Sequence, residues 1–187
     1  MMEQKSSRKS GGNTRILILL LVLITTIAVA VTIWALFFRK TAPVLAPDYA
    51  PVEAEVYAVP IENEPEEDKM EADQGGGAVS MTYQKNVTIS LAENTAKLMF
   101  QNPSKSVNDM VLQLIIVSSD GTETVIAQSG SIKPGNKIDQ LDLIEGAASL
   151  SEGTYNGKFN VLYYDPDSGE KAIVNGNVEG ISITVTQ

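Results

Sequence analysis

The sequence contains neither cysteine nor histidine in its 187 residues. Without cysteine there is no disulfide, so any folded part of the chain must be held together by its apolar core. The same two absences remove the commonest zinc ligands, the Cys–His catalytic pairs and the usual general base of enzymes. These residue types therefore predict a protein that is not an enzyme and that needs no metal or cofactor.

Arginine is also absent from residues 81–187, where twelve acidic residues stand against seven lysines. The formal net charge of −9 is unevenly distributed, because residues 1–40 carry +5, residues 41–80 carry −9 and residues 81–187 carry −5. A surface that binds nucleic-acid phosphates needs clustered lysine and arginine. The charge pattern argues against a nucleic-acid partner and divides the chain into parts of different character.

One long apolar run, residues 16–38, contains 23 residues and no charged side chain. A helix of that length reaches roughly 35 Å, which is enough to cross a hydrocarbon core of about 30 Å. Arg15 precedes the run, and Arg39 and Lys40 follow it. The pattern predicts a transmembrane helix over residues 16–38, in contact with membrane lipid, after a basic tail at residues 1–15.

A cleaved secretory signal is the alternative interpretation of the same segment. Residues 5–15 have the basic character of a signal, and Ala28-Val29-Ala30 offers a small-x-small cleavage site. The apolar run nevertheless continues to Phe38, so cleavage would leave an apolar end in water. We therefore expect an uncleaved anchor in the cell membrane.

The orientation of this anchor follows from the basic residues that precede it. Positive charge favours the cytoplasmic side, so the N-terminus is expected inside and the rest of the chain outside the cytoplasm. Trp34, Phe37 and Phe38 lie at the outer end of the run, where aromatic rings favour the membrane interface. With Ile16 at the inner end, these are the predicted membrane-anchoring residues.

Residues 39–80 have the composition of a disordered linker. Five prolines interrupt any helix, residues 62–73 form a block rich in acidic side chains, and three successive glycines follow at 75–77. A spacer between membrane and domain is the simplest interpretation. The alternative is a docking peptide at residues 48–61, a segment unusually apolar for a spacer through Tyr49, Val52, Val56, Tyr57, Val59 and Ile61.

Residues 81–187 have the pattern of β-strands. Apolar and polar side chains alternate from Tyr83 onward, and residues 110–117 form an apolar run that is typical of a strand buried on both faces. Clusters of glycine, proline, asparagine and aspartate separate the strands. About seven short strands in this length predict a mainly β fold, namely an antiparallel sandwich.

The segment at residues 150–155 reads Leu-Ser-Glu-Gly-Thr-Tyr and matches an L-x-x-G-x-Y pattern. It resembles the start of the sixth strand of immunoglobulin-like domains, in which the tyrosine hydroxyl bonds back to the chain. Residues 98–135 also resemble bacterial extracytoplasmic immunoglobulin-like modules of small membrane-anchored proteins in Gram-positive anaerobes (Firmicutes). The resemblance implies an immunoglobulin-like sandwich, marked by Gly153 and Tyr155, and implies no activity.

Two groups of residues are candidate ligand sites. Asp165, Asp167 and Glu170 could supply oxygen ligands to calcium, although a hairpin turn explains the same residues. Tyr163 and Tyr164, with Phe159, could form an aromatic platform for a sugar. Adjacent strand residues face opposite ways, which favours a core position for one tyrosine and an exposed position for the other.

The leading functional hypothesis is a membrane-anchored extracytoplasmic module that binds protein, either an envelope protein or a second copy of itself. Exposed edge strands are its expected contact surface. The alternative is a module that binds carbohydrate or cell wall at the cell surface. A sensor is a third hypothesis, and it requires a second membrane protein because residues 1–15 are too short for a cytoplasmic domain.

Overall fold

A computed structural model describes residues 11–38, 50, 53–65, 67–71, 79–173 and 175–187. The chain forms two compact units, Met1–Ala42 and Pro43–Gln187. The first unit contains one helix, and the second contains a mainly β fold.

Helix α1 spans Gly11–Phe38 and has 28 residues. Its described side chains, residues 16–29, are exposed, and Ile16 retains 64% of its accessible surface. The Thr25 and Thr26 hydroxyls donate to main-chain carbonyl oxygens one turn earlier, so these polar groups are satisfied within the helix. A search of the described residues finds no helix that meets the length and hydropathy required to span a membrane. The side chains of Trp34, Phe37 and Phe38 lie outside the described residues.

The second unit is built from a curled mixed β-sheet. The strand order is β1-β7-β4-β3-β9-β8-β5-β6, with β2 paired to β4. The strands that the described residues form are β1 (Val59–Pro60), β2 (Thr82–Tyr83), β3 (Asn86–Ser90), β4 (Thr95–Asn102), β5 (Asp109–Val117), β6 (Glu123–Gln128), β7 (Asn136–Asp142), β8 (Gly153–Tyr164) and β9 (Gly176–Thr186), with a 3₁₀-helix at Glu145–Ala147. The prediction of a mainly β fold is confirmed.

Strand β3 joins the two halves of this sheet. It pairs antiparallel with β4 on one side and parallel with β9 on the other. The inward side chains of both halves then form one buried cluster. Phe100 of β4 and Phe159 of β8 meet edge to face, with ring centroids 6.3 Å apart, although their strands are not neighbours in the sheet. This contact requires the sheet to curl around a shared core.

Strand β5 lies deep in the fold, with seven consecutive buried residues. Alternate side chains enter the main core, while Val111 points the other way and forms a second small cluster with Leu162 and Tyr164 of β8. Ala50 packs against this second cluster. The apolar run at residues 110–117 therefore corresponds to a strand covered on both faces.

Near its start, strand β8 requires particular residue types at two places. The Tyr155 hydroxyl donates to the Ser151 carbonyl oxygen at 2.9 Å, and Gly153 just before it has φ +151°. Two residues later, a Cβ on Gly157 would lie 2.7 Å from the Ile115 carbonyl oxygen and would overlap the Ile183 side chain. Only glycine lets β8 fit this closely between β5 and β9.

Strand β6 at one side of the sheet and β7, the last long strand at the other side, are both partly covered, which differs from the expectation of exposed edges. Along β6, the Ile144 N–H donates to the Ile126 carbonyl oxygen at 2.9 Å, and Leu143 bridges to Ala127. Along β7, the first two residues pair with β1. Unpaired edges promote unwanted association, and the chain uses its own segments to cover them.

We predict that Phe159→Ala destabilises the β unit by about 3–5 kcal/mol, because it removes a fully buried ring that both halves of the sheet contact. Urea unfolding measures the change. Thr184→Ala, on the exposed face of β9, is the control and should change stability by less than about 0.5 kcal/mol. Equal effects of the two substitutions would contradict a core shared between the two halves.

Candidate functional site

The most extensive structural feature outside the core is a segment that lies along one edge of the sheet. It comprises residues 53–65 and 67–71, which we call the strap. The sequence predicted these residues to be part of a disordered linker, and the structure differs. The strap makes main-chain and side-chain hydrogen bonds to two loops, between β4 and β5 and between β6 and β7, and to strand β7.

The first attachment of the strap is centred on Glu55. Its N–H donates to the Ser131 carbonyl oxygen at 3.0 Å, and the Ser131 N–H donates to the Glu53 carbonyl oxygen at 3.2 Å. The Glu55 carboxylate accepts the Gly130 N–H at 2.6 Å and the Tyr57 N–H at 3.0 Å. A Cβ on Gly130 would lie 2.9 Å from the Glu55 nitrogen, so glycine permits this close approach.

The second attachment adds a strand to the sheet. Val59 and Pro60 pair antiparallel with Lys137 and Asn136 at the start of β7. The next residue, Ile61, donates its N–H to the Gly135 carbonyl oxygen at 2.9 Å. Proline is compatible with this position because β1 lies at the edge of the sheet, where one side needs no ladder hydrogen bond.

A tyrosine hydroxyl fixes the strap near the other end of β7. The Tyr57 hydroxyl donates to the Asp142 carboxylate at 2.8 Å. This hydrogen bond is the main cause that raises the pKa of Tyr57 above its ordinary value of 10.0, because ionising the hydroxyl would remove the donated proton. The hydrogen bond to Asp142 therefore forms only while the Tyr57 hydroxyl is protonated.

The third attachment uses the acidic part of the strap. The Glu64 carboxylate accepts the Ser104 N–H at 2.7 Å, and the Glu67 carboxylate forms an ion pair with Lys105 at 2.8 Å. Both partners belong to the turn between β4 and β5. Two carboxylates of the acidic block at residues 62–73 are thus matched by a main-chain hydrogen-bond donor and by one lysine.

Buried side chains hold this turn in place. Asn102 is fully buried, and its amide group donates to the carbonyl oxygens of Asn108 at 3.0 Å and Ile132 at 2.9 Å. These bonds connect the turn to the loop that contacts Glu55. Buried hydrogen bonds of Asn102 therefore connect the parts of the surface that the strap contacts. We call this surface, residues 104–106, 130–131 and 135–137, the receptor edge.

Apolar burial contributes little to the strap. Val56 is 82% exposed and Val59 is 45% exposed, while Ala58 packs at the margin of the main core. Of the apolar residues that favoured a docking peptide, Tyr49 and Val52 lie outside the described residues. The strap is thus bound as an extended peptide, chiefly through main-chain groups and carboxylates, and its receptor is the domain of the same chain.

The acidic loop considered for calcium has the geometry of a hairpin turn. The Asp165 carboxylate accepts the N–H groups of Ser168 at 2.7 Å and Asp167 at 3.0 Å, and these bonds lower the pKa of Asp165. Gly169 has φ +73°, and its N–H donates to the Asp165 carbonyl oxygen. Within the described residues there is no group of three or more His, Cys, Asp or Glu side chains placed to hold a metal.

The aromatic platform considered for a sugar is not formed at the surface. Phe159 and Tyr164 are fully buried, and Tyr163 is 6% exposed. Burial raises the pKa of Tyr163. The expectation that one of the two tyrosines is exposed is wrong because β8 is covered on both faces, with Tyr164 in the second small cluster.

A polar groove of about 500 Å³ lies on the outer face of β3, β4 and β7. Thr88, Lys97 and Gln140 occupy one row across these three strands. Two amides and a carboxylate complete its polar lining, from Gln84, Asn86 and Asp139. A groove with donors and acceptors on neighbouring strands can accept a hydroxyl-rich ligand.

No protein-family model matches the chain, and no curated protein matches it. A solved structure with some similarity is AggA, the major subunit of aggregative adherence fimbriae type I from Escherichia coli. It is 9% identical, covers 63% of this chain and 100% of its own, and superposes with a TM-score of 0.31. The function of this chain must therefore be inferred from its own residues.

We predict that Glu55→Ala loosens the strap, because it removes the acceptor of two main-chain N–H groups. Hydrogen bonds to a charged group contribute about 1.5–3 kcal/mol. Amide exchange at Gly130 and proteolysis near Tyr57 should both accelerate several-fold. Glu53→Ala is the matched control, since the exposed Glu53 contacts the receptor edge through its main-chain carbonyl group. Equal rates in the two variants would contradict the role of the Glu55 carboxylate.

We also predict that Asp142→Asn lowers the pKa of Tyr57 toward its ordinary value. Because the pKa of Tyr57 is higher in the folded chain than in the unfolded chain, the hydrogen bond to Asp142 stabilises the fold at pH values below the unfolded pKa. This stabilisation is lost as the pH rises through the pKa of Tyr57 in the folded chain. Ultraviolet absorbance of tyrosinate, taken as the difference between a protein with Tyr57 and its Tyr57→Phe variant, measures the titration. Asp139→Asn, on the same strand, should leave it unchanged. Equal shifts in both variants would exclude a specific hydrogen bond to Asp142.

Proposed function

We propose that this protein is a single-pass, membrane-anchored module whose extracytoplasmic domain works by binding protein. The observation that supports this proposal most directly is the receptor edge, which binds an extended peptide segment, the strap. Strand addition to a sheet edge is a recurrent mode of peptide recognition, in which main-chain hydrogen bonds supply affinity. The receptor edge has the donors and acceptors for that mode.

The domain is further proposed to be an immunoglobulin-like sandwich. In such domains strands A, B and E lie in one sheet, and strands C, C′, F and G lie in the other. The order found here, β7-β4-β3 followed by β9-β8-β5-β6, corresponds to E-B-A followed by G-F-C-C′. The hydrogen bond from the Tyr155 hydroxyl to Ser151 corresponds to the tyrosine corner of these domains.

The anchor is proposed from the sequence, with residues 16–38 crossing the membrane and the N-terminus in the cytoplasm. Its support is the uncharged run of 23 residues and the excess of basic residues before it. Helix α1 contains this whole run. The exposed apolar side chains from Ile16 to Val29 suit a lipid environment better than water.

Catalysis is not part of the proposed role. The chain has no histidine or cysteine to act as nucleophile or general base at neutral pH. Acidic side chains are plentiful, but those of Glu55, Glu64 and Asp165 already accept main-chain hydrogen bonds. The proposed partners are membrane lipid around residues 16–38 and a protein at the receptor edge.

The anchor predicts that the full chain stays in the membrane after an alkaline carbonate wash. Leu23→Arg should reduce retention strongly, because arginine at the centre of a membrane helix costs about 2.5–3.5 kcal/mol on insertion scales. Leu23→Ile is the matched control and should be retained like the parent chain. Protease added outside intact cells should digest the β domain. Release of the parent chain by the wash, or protection of the domain, would overturn the anchor or its orientation.

The binding role predicts that a photo-activatable residue at Lys137, on the receptor edge, captures a protein in intact membranes. The partner is either an envelope protein or a second copy of this chain. The same residue placed at Thr184, on the exposed face of β9, is the control and should give a much weaker adduct. A chain that yields no intermolecular adduct from position 137 would contradict protein binding at the receptor edge.

The polar groove on β3, β4 and β7 favours a second candidate function, the binding of carbohydrate or cell wall. Lys97 and Gln140 lie side by side there and can donate to sugar hydroxyls. Sedimentation with purified cell wall tests this role. Retention that Lys97→Ala and Gln140→Ala abolish, in the absence of any protein adduct, would favour this candidate over protein binding.

A further inference from the structure

We propose that the strap is exchangeable, so that the strap of one copy occupies the receptor edge of a second copy in the same membrane. This inference rests on the proposed function, because it names a second copy of the chain as the protein partner. It follows from three properties of the described residues: how the strap is bound, how long the chain is behind it, and where its binding partners lie.

The strap is bound in the manner of a separate ligand. Its contacts are mostly polar: main-chain hydrogen bonds, carboxylate hydrogen bonds, one ion pair, and single hydrogen bonds from the Tyr57 hydroxyl and the Lys69 ammonium group. Ala58 touches the margin of the main core, and the Val56 side chain is 82% exposed. A segment bound in this way can leave without opening the main core. Release of the strap therefore requires that its polar groups exchange their partners, first with water and then with a second receptor edge, and that Ala58 leaves the margin of the core.

Met70, at the end of the strap, and Ser80 are attached to adjacent residues of one turn. Met70 donates its N–H to the Lys105 carbonyl oxygen at 2.9 Å, and Ser80 exchanges two hydrogen bonds of 2.9 Å with the Ser106 hydroxyl. Lys105 and Ser106 are adjacent, with Cα atoms about 3.8 Å apart. The residues from 70 to 80 can extend to roughly 33–36 Å. The strap can thus reach another molecule while Ser80 keeps its place.

The whole receptor edge belongs to the folded domain, so an exchanged strap finds the same partners on a second copy. Gly130, the start of β7 and the turn at residues 104–106 belong to segments that the Asn102 amide connects through hydrogen bonds to Asn108 and Ile132. Two copies that exchange straps form a closed pair with two-fold symmetry. The contacts in the pair equal those in the single chain, so local concentration decides between them, and confinement to one membrane raises that concentration.

Single cysteines test the exchange, because the natural chain contains none. Val59 and Lys137 are directly paired across the strap and β7, at a separation suited to a disulfide. Two differently tagged full-length chains, one with Val59→Cys and the other with Lys137→Cys, are produced in the same membrane and oxidised. The expected product is a disulfide-linked heterodimer on a non-reducing gel.

Three controls make the result specific. Pairing Val59→Cys with Thr184→Cys, on the exposed face of β9, should reduce the heterodimer at least five-fold. Adding Glu55→Ala to both chains should make the heterodimer form several-fold faster, because the strap is released more readily, whereas adding Glu53→Ala should not change the rate. A third chain with both Val59→Cys and Lys137→Cys shows by its internal disulfide that the pair is folded and competent.

The outcomes separate this inference from the proposed function. An internal disulfide in the double variant, without heterodimer from the single variants, overturns strap exchange. In that case an adduct between position 137 and a different protein still supports protein binding at the receptor edge. Strap exchange is supported if Val59→Cys forms a heterodimer with Lys137→Cys but not with Thr184→Cys. Loss of the parent chain in the carbonate wash refutes the anchor alone.

Discussion

The double pairing of β3 is the constraint on which the β unit depends. One short strand of five residues connects an antiparallel neighbour, β4, with a parallel neighbour, β9. Its inward side chains, Val87 and Ile89, are buried in the core that both halves share. If β3 paired on one side only, the two halves would lose the longest main-chain ladder that joins them, and the bridge from Leu143 and Ile144 to β6 would remain. A chain without disulfides relies entirely on such pairing and on the core it encloses.

The receptor edge is a consequence of that arrangement. An open sheet that curls ends in two outer strands, and each outer strand has main-chain groups that need partners. The chain covers β6 with Leu143 and Ile144, which follow β7 directly. The start of β7 is covered from much farther away, by residues that precede the first core strand. The strap is joined to the folded domain through a long connection, so the strap of another molecule can take its place on β7. Leu143 and Ile144 follow β7 directly and can pair only with β6 of their own chain.

Much of the fold could be predicted from the sequence because its signal is local. Alternation from Val87 and the apolar run at residues 110–117 reflect burial on one face or both, and both features correspond to strands. The predicted number of strands, about seven, is close to the nine that the described residues form. The two shortest, β1 and β2, were not predicted as strands. Two residues carry no detectable period, so such strands are determined by their partners and not by their own sequence.

The exposure of Tyr163 and Tyr164 could not be predicted for a related reason. Alternation shows that neighbouring residues point to opposite faces, but not what covers each face. The outer face of β8 near Tyr164 is covered by contacts that are distant in sequence, including Ala50. The hydroxyl contact of Tyr155 differs, because its partner, Ser151, lies four residues away and the local pattern already contains it.

The strap shows why composition can mislead about order. Acidic, proline-rich segments usually remain disordered because they bury too little apolar surface and repel themselves. That argument treats each carboxylate as a solvated charge. Here the carboxylates of Glu55 and Glu64 accept main-chain N–H groups from Gly130 and Ser104, which point outward from loops at the sheet edge. Loop N–H groups are donors that need acceptors, and acidic side chains are the strongest acceptors available. The acidity that predicts disorder for the isolated segment therefore supplies its attachment to the folded domain. Apolar contact adds little, chiefly through Ala58 at the margin of the core.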